Sequence, residues 1–289
     1  MMKAVRFIAA AIYRKRWLLT RRTVQIFILL AFLYHLPFLG RIATGNLSSS
    51  EWFGTMPLTD PFILLQSLLA GSTLAYSAVI GALIVVGFYA VFGGRIYCSW
   101  VCPINIVTDV AYWLRQRFNI KNNMSMSRQL RKAILLLALV LSLFAGTLAW
   151  EIINPITLLQ RELMWGSTAG ATFLFGLFLF DLLVSRRGWC GHLCPVGAFY
   201  GFLGRFGRLR VTASKPDACA GSGCSACVKV CPEPHVLAPV VSQDARTVTS
   251  GDCTRCGACL DKCSTGALSM KLDLGHKQRF KDIPVVTKK

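Results

Sequence analysis

Acidic side chains are scarce in this sequence of 289 residues: 13 Asp and Glu stand against 32 Lys and Arg, a formal net charge of +19. Histidine is scarcer still, with four, and no Cys-x2-Cys-His run occurs, which excludes covalently attached haem. No stretch is free to form a molybdenum-cofactor domain, and no basic stripe interleaved with aromatics is found on a soluble segment. Nucleic acid is therefore a poor partner despite the charge. Charged residues make up 16% of the chain and hydrophobic ones 54%, which excludes an ordinary polar-surfaced enzyme for most of its length.

The apolar residues fall into four runs, roughly Thr23–Gly40, Leu74–Phe92, Ala133–Trp150 and Ala169–Val184. A bilayer crossing needs about twenty such residues, so the composition predicts four transmembrane helices. Basic residues without acids precede the first run, lie between the second and third, and follow the fourth. The two intervening loops hold only Arg41 and Arg161 with Glu51, Asp60, Glu151 and Glu162. The positive-inside rule then places both termini in the cytoplasm of a bacterial inner membrane. The first run ends in L-P-F-L-G-R without a small-residue cleavage site, so it does not read as a signal peptide.

Cysteine carries the chemistry. Eight of the twelve cysteines fall between Cys219 and Cys263. Cys253, Cys256, Cys259 and Cys263 have the Cys-x2-Cys-x2-Cys-x3-Cys spacing of a bacterial-type iron–sulfur site, and Cys219, Cys224, Cys227 and Cys231 form a quartet with one widened gap, closed by Pro232. In doubled runs of this kind the fourth cysteine of each quartet ligates the other cluster. The expected sets are Cys219, Cys224, Cys227 and Cys263 for one [4Fe–4S] cluster, and Cys253, Cys256, Cys259 and Cys231 for the second. Zinc also accepts Cys-x2-Cys pairs, but not typically three cysteines so tightly spaced and repeated. A disulfide framework requires an oxidising compartment, which the charge distribution opposes.

The remaining four cysteines belong to an internal repeat. Asp60–Thr73 and Asn154–Thr168 share a Pro-x-x-Leu-Leu-Gln core, and each is followed by an apolar run and a Cys-x3-Cys-Pro motif. Offsets of 94, 95 and 92 residues relate Asp60 to Asn154, Thr73 to Thr168 and Cys98 to Cys190. Both copies run outside to inside, which predicts parallel repeats over about 23–117 and 133–211. The Asp-Pro and Asn-Pro starts predict short capped helices with proline at the first helical position. Cys98 with Cys102, and Cys190 with Cys194, could share a further metal centre, act as two dithiol couples, or serve as small hydrophobes. His192 within the second motif is a further ligand or a simple hydrogen-bonding group. Gln66 and Gln160 are candidate donors to a quinone head group, and His35 is a candidate acceptor of its proton. Asp181 is expected to pair with Arg186 or another inner-face base.

The predicted architecture is thus an α-helical membrane protein with four transmembrane helices as two repeats, plus a small C-terminal α+β two-cluster ferredoxin-like domain. A basic N-terminus spans 1–22, the membrane part 23–211, the cluster domain 212–274 and a basic tail 275–289. Phe202–Val211 reads as a basic connector along the inner leaflet, with His235 and His276 on the surface. The cluster domain is too small for an independent core, so its folding is expected to depend on metal.

Two Cys-x3-Cys-Pro motifs, four apolar runs and the C-S-A-C-V-K-V-C-P-E-P stretch resemble the NapH/NosR/CcoG group of polyferredoxin membrane proteins, the NapH type above all. That resemblance covers nearly the whole chain. It implies a quinol dehydrogenase subunit that works with a NapG-like ferredoxin subunit, and with a NapC-like multihaem protein, towards periplasmic nitrate reductase. Quinol would be the substrate. The alternative function is a redox or maturation factor supplying electrons to a partner metalloenzyme. A transporter is suggested by the repeats alone.

Overall fold

The computed structural model describes residues 15–33, 35–36, 40–121, 124, 126–166, 168–219 and 224–273. The basic tail and His276 lie outside them. The chain opens with α1 (Arg16–Leu33), followed by the short antiparallel pair β1 (His35–Leu36) and β2 (Gly40–Arg41). A three-stranded antiparallel sheet, β3 (Ala43–Gly45), β4 (Ser49–Trp52) and β5 (Met56–Thr59), then occupies what the sequence suggested was an outer loop.

Two helical halves follow. The first holds α2 (Pro61–Leu69), α3 (Tyr76–Phe92), α4 (Ile96–Trp100) and α5 (Ile104–Arg117). In the second, α6 (Gln129–Ala145) leads into α7 (Pro155–Trp165) and α8 (Thr168–Leu179). Two π-helical turns, Phe180–Val184 and Trp189–Leu193, then precede α9 (Pro195–Leu203). As the Asp-Pro and Asn-Pro starts predict, Asp60 and Asn154 cap α2 and α7. Each side-chain oxygen accepts from the backbone N–H two residues on, at 3.0 and 3.1 Å, with proline in the first turn.

Four transmembrane helices do not form: no described helix is long and apolar enough to cross a membrane. The helices that form do not coincide with the apolar runs. In α1, Arg16, Arg21 and Arg22 take up the first turns, and the helix stops at Leu33. The 17 residues of α3 rise roughly 26 Å, under the ~30 Å of a hydrocarbon core. Gly146, at φ 61°, ends α6 in a left-handed cap. The fourth run is α-helical only over the 12 residues of α8 before it widens into a π-turn. Large apolar side chains are nonetheless exposed along α3 and α6, among them Leu83, Phe88, Leu136 and Phe144.

The last part is a small α+β unit. β6 (Leu209–Ala213) pairs antiparallel with β7 (Leu268–Leu272), so the basic connector ends inside a strand. Between them lie α10 (Ala226–Val230), α11 (Ala238–Val241) and α12 (Ala258–Lys262). Val211, Val236, Leu237 and Val240 form its core together with Cys231 and Cys259. The helical halves have a separate core around Phe62, Tyr97, Ile104, Ile156, Val196 and Tyr200. Gly81 permits α3 to lie against β5, since a Cβ there would meet the Pro57 carbonyl oxygen at 2.9 Å.

Candidate iron–sulfur sites

The helices α10 and α12 pack on each other and present the cysteine loops. Cys231, Cys253, Cys256 and Cys259 line a single cavity, walled by Val211, Val236 and Leu237, with about 350 Å³ of atom-free space partly open to solvent. The first quartet's last cysteine thus stands with the first three of the second quartet. Burial, and then Cys256, push the Cys231 thiol up to about 12. Four sulfurs set around a cavity in this way fit an iron–sulfur cluster, and loading it would release their protons.

The other four cysteines of the doubled run are more open. Cys219 and Cys263 both lie near enough to Cys227 to raise its thiol, after the larger effect of burial. Cys263 Sγ accepts from the Ala267 backbone N–H at 3.3 Å, the type of N–H···S contact that supports a bound cluster. Cys224 is exposed and borders residues 220–223, which fall outside the described set.

A second cavity lies among the helices. Cys98 and Cys102 come to it from α4 and the turn after it, Cys190 and Cys194 from the second π-turn and its end. It has about 390 Å³ of atom-free space and walls of Tyr97, Ile104, Ile156, Trp189 and Val196. His192 is not among its lining residues. Burial raises all four thiols; Cys102, Cys190 and Cys194 are raised further by neighbouring cysteines, and Cys98 is opposed by Arg95.

Between the two cavities runs a buried ion network for which no single motif gave a signal. Arg95 is 1% exposed. Its guanidinium donates to Glu233 Oε1 at 2.8 Å, to the Asp252 carbonyl at 3.0 Å and to the Cys190 carbonyl at 3.2 Å. Arg131 joins the same carboxylate at 3.3 Å, reaches Asp252 Oδ1 at 2.6 Å and donates to the Gly191 carbonyl at 3.2 Å. These contacts tie the cysteine turn of the second repeat to Glu233 and Asp252, which flank Cys231 and Cys253. Asp252 is held well below the usual carboxylate range by its His235 hydrogen bond and by Arg131 and Arg95, against the opposing effect of burial. His235, expected on the surface, is therefore half-buried in this network. Repeat alignment does carry a faint signal, since Arg95 and Arg187 each stand three residues before a cysteine. Arg187 pairs with Asp109 at 2.6 Å, and Asp109 also holds Arg21 and Arg22.

The remaining candidates fall elsewhere. Gln66 is fully buried, and its Oε1 accepts from Ser142 Oγ and the Trp150 backbone N–H, both at 3.1 Å. Gln160 accepts from the Leu47 backbone N–H at 2.8 Å. Gln66 is thus bonded by the second helical half and Gln160 by the turn between β3 and β4, and the Nε2 group of each is buried without a partner. Asp181 Oδ1 accepts from the Trp189 backbone N–H at 3.0 Å, with Arg187 and Arg115 as its charged neighbours. His35 lies in β1, paired with Arg41, and not in a helix.

Interleaved cysteine quartets on a small α+β unit define a ferredoxin-type iron–sulfur protein. Comparison with known proteins agrees. A family model described as a 4Fe-4S dicluster domain matches residues 218–268, and one described as a 4Fe-4S binding domain matches twice, at 74–121 and 167–213. The chain is 68% identical over 281 residues to the methylamine utilization ferredoxin-type protein MauN of Methylobacillus flagellatus, covering 97% of this chain and 98% of the relative. It is 49% identical to the ferredoxin-type protein NapH of Escherichia coli, covering 86% of this chain and 87% of the relative. It belongs to the NapH and MauN family of ferredoxin-type proteins. No solved structure matches.

Proposed function

We propose that the chain is a one-electron relay of the methylamine-utilization type, taking electrons from a quinol and passing them to a partner redox protein. The observation that carries this reading is the cavity lined by Cys231, Cys253, Cys256 and Cys259. It supports crossed ligation, with Cys219, Cys224, Cys227 and Cys263 holding one [4Fe–4S] cluster and the cavity cysteines the other. Near-full-length identity of 68% to a methylamine-utilization protein favours that system over the nitrate-reductase route implied by the sequence resemblance. A quinol gives up two electrons and two protons, so two one-electron clusters match its stoichiometry.

Quinol binding is supported by the unpartnered Nε2 groups of Gln66 and Gln160, buried donors of a kind that a quinone oxygen would satisfy. Apolar side chains exposed on α3 and α6, with basic residues around α1 and α5, support a location at the cytoplasmic face of the bacterial inner membrane.

The test is anaerobic EPR of the full chain with a reduced quinol analogue. Reduced-cluster signals are expected on addition of the quinol, and the rate of their appearance should fall about tenfold or more in Gln66→Leu/Gln160→Leu, for the loss of hydrogen bonds to the head group. Clusters that respond to dithionite but stay oxidised with quinol would remove the quinol reading.

A further inference from the structure

We propose that Cys98, Cys102, Cys190 and Cys194 together hold one additional [4Fe–4S] cluster, shared between the two repeats. This rests on the iron–sulfur reading above and extends it to a site in the helical part.

Four observations support it. All four thiols line the same cavity, about 390 Å³ of atom-free space, so neither repeat has a cavity of its own with a full ligand set. Each match to the 4Fe-4S binding domain, at 74–121 and 167–213, contains just two of these cysteines. Half a ligand set per repeat becomes a full set only where the repeats meet.

The second observation concerns size. A tetrathiolate zinc ion draws its sulfurs to ≈2.3 Å from one point. Among the described residues no three Cys, His, Asp or Glu side chains converge closely enough to hold a single ion. Thiols spaced around a volume suit a cubane, whose four irons each take one thiolate at a separate corner.

The third is electrostatic. Four thiolates on a cluster core leave net negative charge in an apolar cavity, and such charge needs nearby compensation. Arg95 supplies it: its guanidinium neighbours Cys98 and donates to the Cys190 carbonyl at 3.2 Å. Arg131 is a further charged neighbour of Cys98. Asn154, Pro155 and Ile156 bring the N-terminal turn of the 11-residue α7 to the cavity wall, its positive end towards the thiols.

The fourth is connection. The same Arg95 guanidinium bonds the Asp252 carbonyl and Glu233, beside Cys253 and Cys231. One side chain therefore spans from this cavity to the neighbouring cluster site. The alternative of two dithiol/disulfide couples has no such use for a common cavity.

Iron and acid-labile sulfide counted on the anaerobically purified full chain test the proposal. Three clusters give about twelve irons per chain and two give about eight. Cys98→Ser/Cys190→Ser should lose about four irons while the EPR signals of the two ferredoxin-type clusters persist. Gly197→Leu lines the same cavity and removes no thiol; it should also lose about four irons, with all four cysteines open to alkylation. Eight irons in the unaltered chain, unchanged in both variants, would overturn the third cluster and leave the two-cluster reading standing. Zinc in place of the extra iron, or Cys98–Cys102 and Cys190–Cys194 disulfides by mass spectrometry, would overturn it as well. Iron below eight with no ferredoxin-type signal would instead count against the broader iron–sulfur reading.

Discussion

Single residues set the electrostatics on both sides of the helical core. Asp60 caps α2 and accepts from Tyr200 at 3.2 Å, and burial raises its carboxyl to about 6. A carboxyl whose folded pKa lies above its unfolded value stabilises the fold below the unfolded value, and that contribution is lost as pH rises through the folded one. Stability should therefore fall between about pH 4 and pH 6, by on the order of 3 kcal/mol from this group. Asp60→Asn copies the second repeat, where Asn154 makes the same cap. It should keep the helix and flatten the pH dependence of the urea midpoint; a slope unchanged by the substitution would contradict this account. Glu233 matters through its charge. It is the shared carboxylate of Arg95 and Arg131, both almost fully buried. Glu233→Gln leaves two buried cations short of a counter-charge and should destabilise the protein by about 3–5 kcal/mol, read from the shift in denaturant midpoint of the cluster-loaded chain. A midpoint within error of the parent protein would show that Asp252 alone suffices as counter-charge.

Elements show which parts of this architecture the sequence announces. The caps of α2 and α7 are legible because Asp-Pro and Asn-Pro encode them within three residues. The four-residue cysteine spacings are legible for the same reason: the chemistry is local. Helix length is not. Nothing in the apolar run that ends in Trp150 announces that Gly146 turns left-handed and stops α6, or that Phe180–Val184 widens into a π-turn. The strands β3–β5 were missed because their sequence is short and mixed, and because their pairing depends on packing against α3. The ion network was hidden by distance, with Arg95 and Glu233 138 residues apart. Gly93 joins such remote elements: at φ 120° it sits against the Arg255 guanidinium, which donates to the carbonyls of Leu209, Cys253 and Gly204. Gly93→Ala combines a disfavoured backbone with a clash and should cost more than about 1 kcal/mol. The loss is expected as faster proteolysis of the β6–β7 unit relative to α2 and α7; equal sensitivity in both regions would argue against a role at this junction.

At the scale of the whole molecule, two cores of different character meet at the ion network. The helical halves are built on a larger apolar core that includes Phe62, Tyr97, Ile104, Trp150, Ile156 and Tyr200. The C-terminal unit counts Cys231 and Cys259 among its core side chains. Stripping iron should therefore release residues 209–272 first, because the cluster supplies what so small an apolar core lacks. Hydrogen exchange followed by mass spectrometry should show β6, β7, α10 and α12 losing protection while α2 and α7 keep theirs. Uniform loss throughout would mean that the two cores unfold as one.

The exchanged glutamine contacts have a consequence for biosynthesis. Gln66 is translated well before Trp150 and Ser142, the groups that satisfy its oxygen, and Leu47 waits in the same way for Gln160. The first half cannot satisfy Gln66 from its own residues while it emerges from the ribosome. The nascent first half carries a buried acceptor without its partners until its counterpart arrives, so completion of this polar interior is tied to completion of the chain. A truncated product stalled between the halves would expose unsatisfied polar groups and half a set of thiols, a form that quality-control proteases can distinguish from the finished protein.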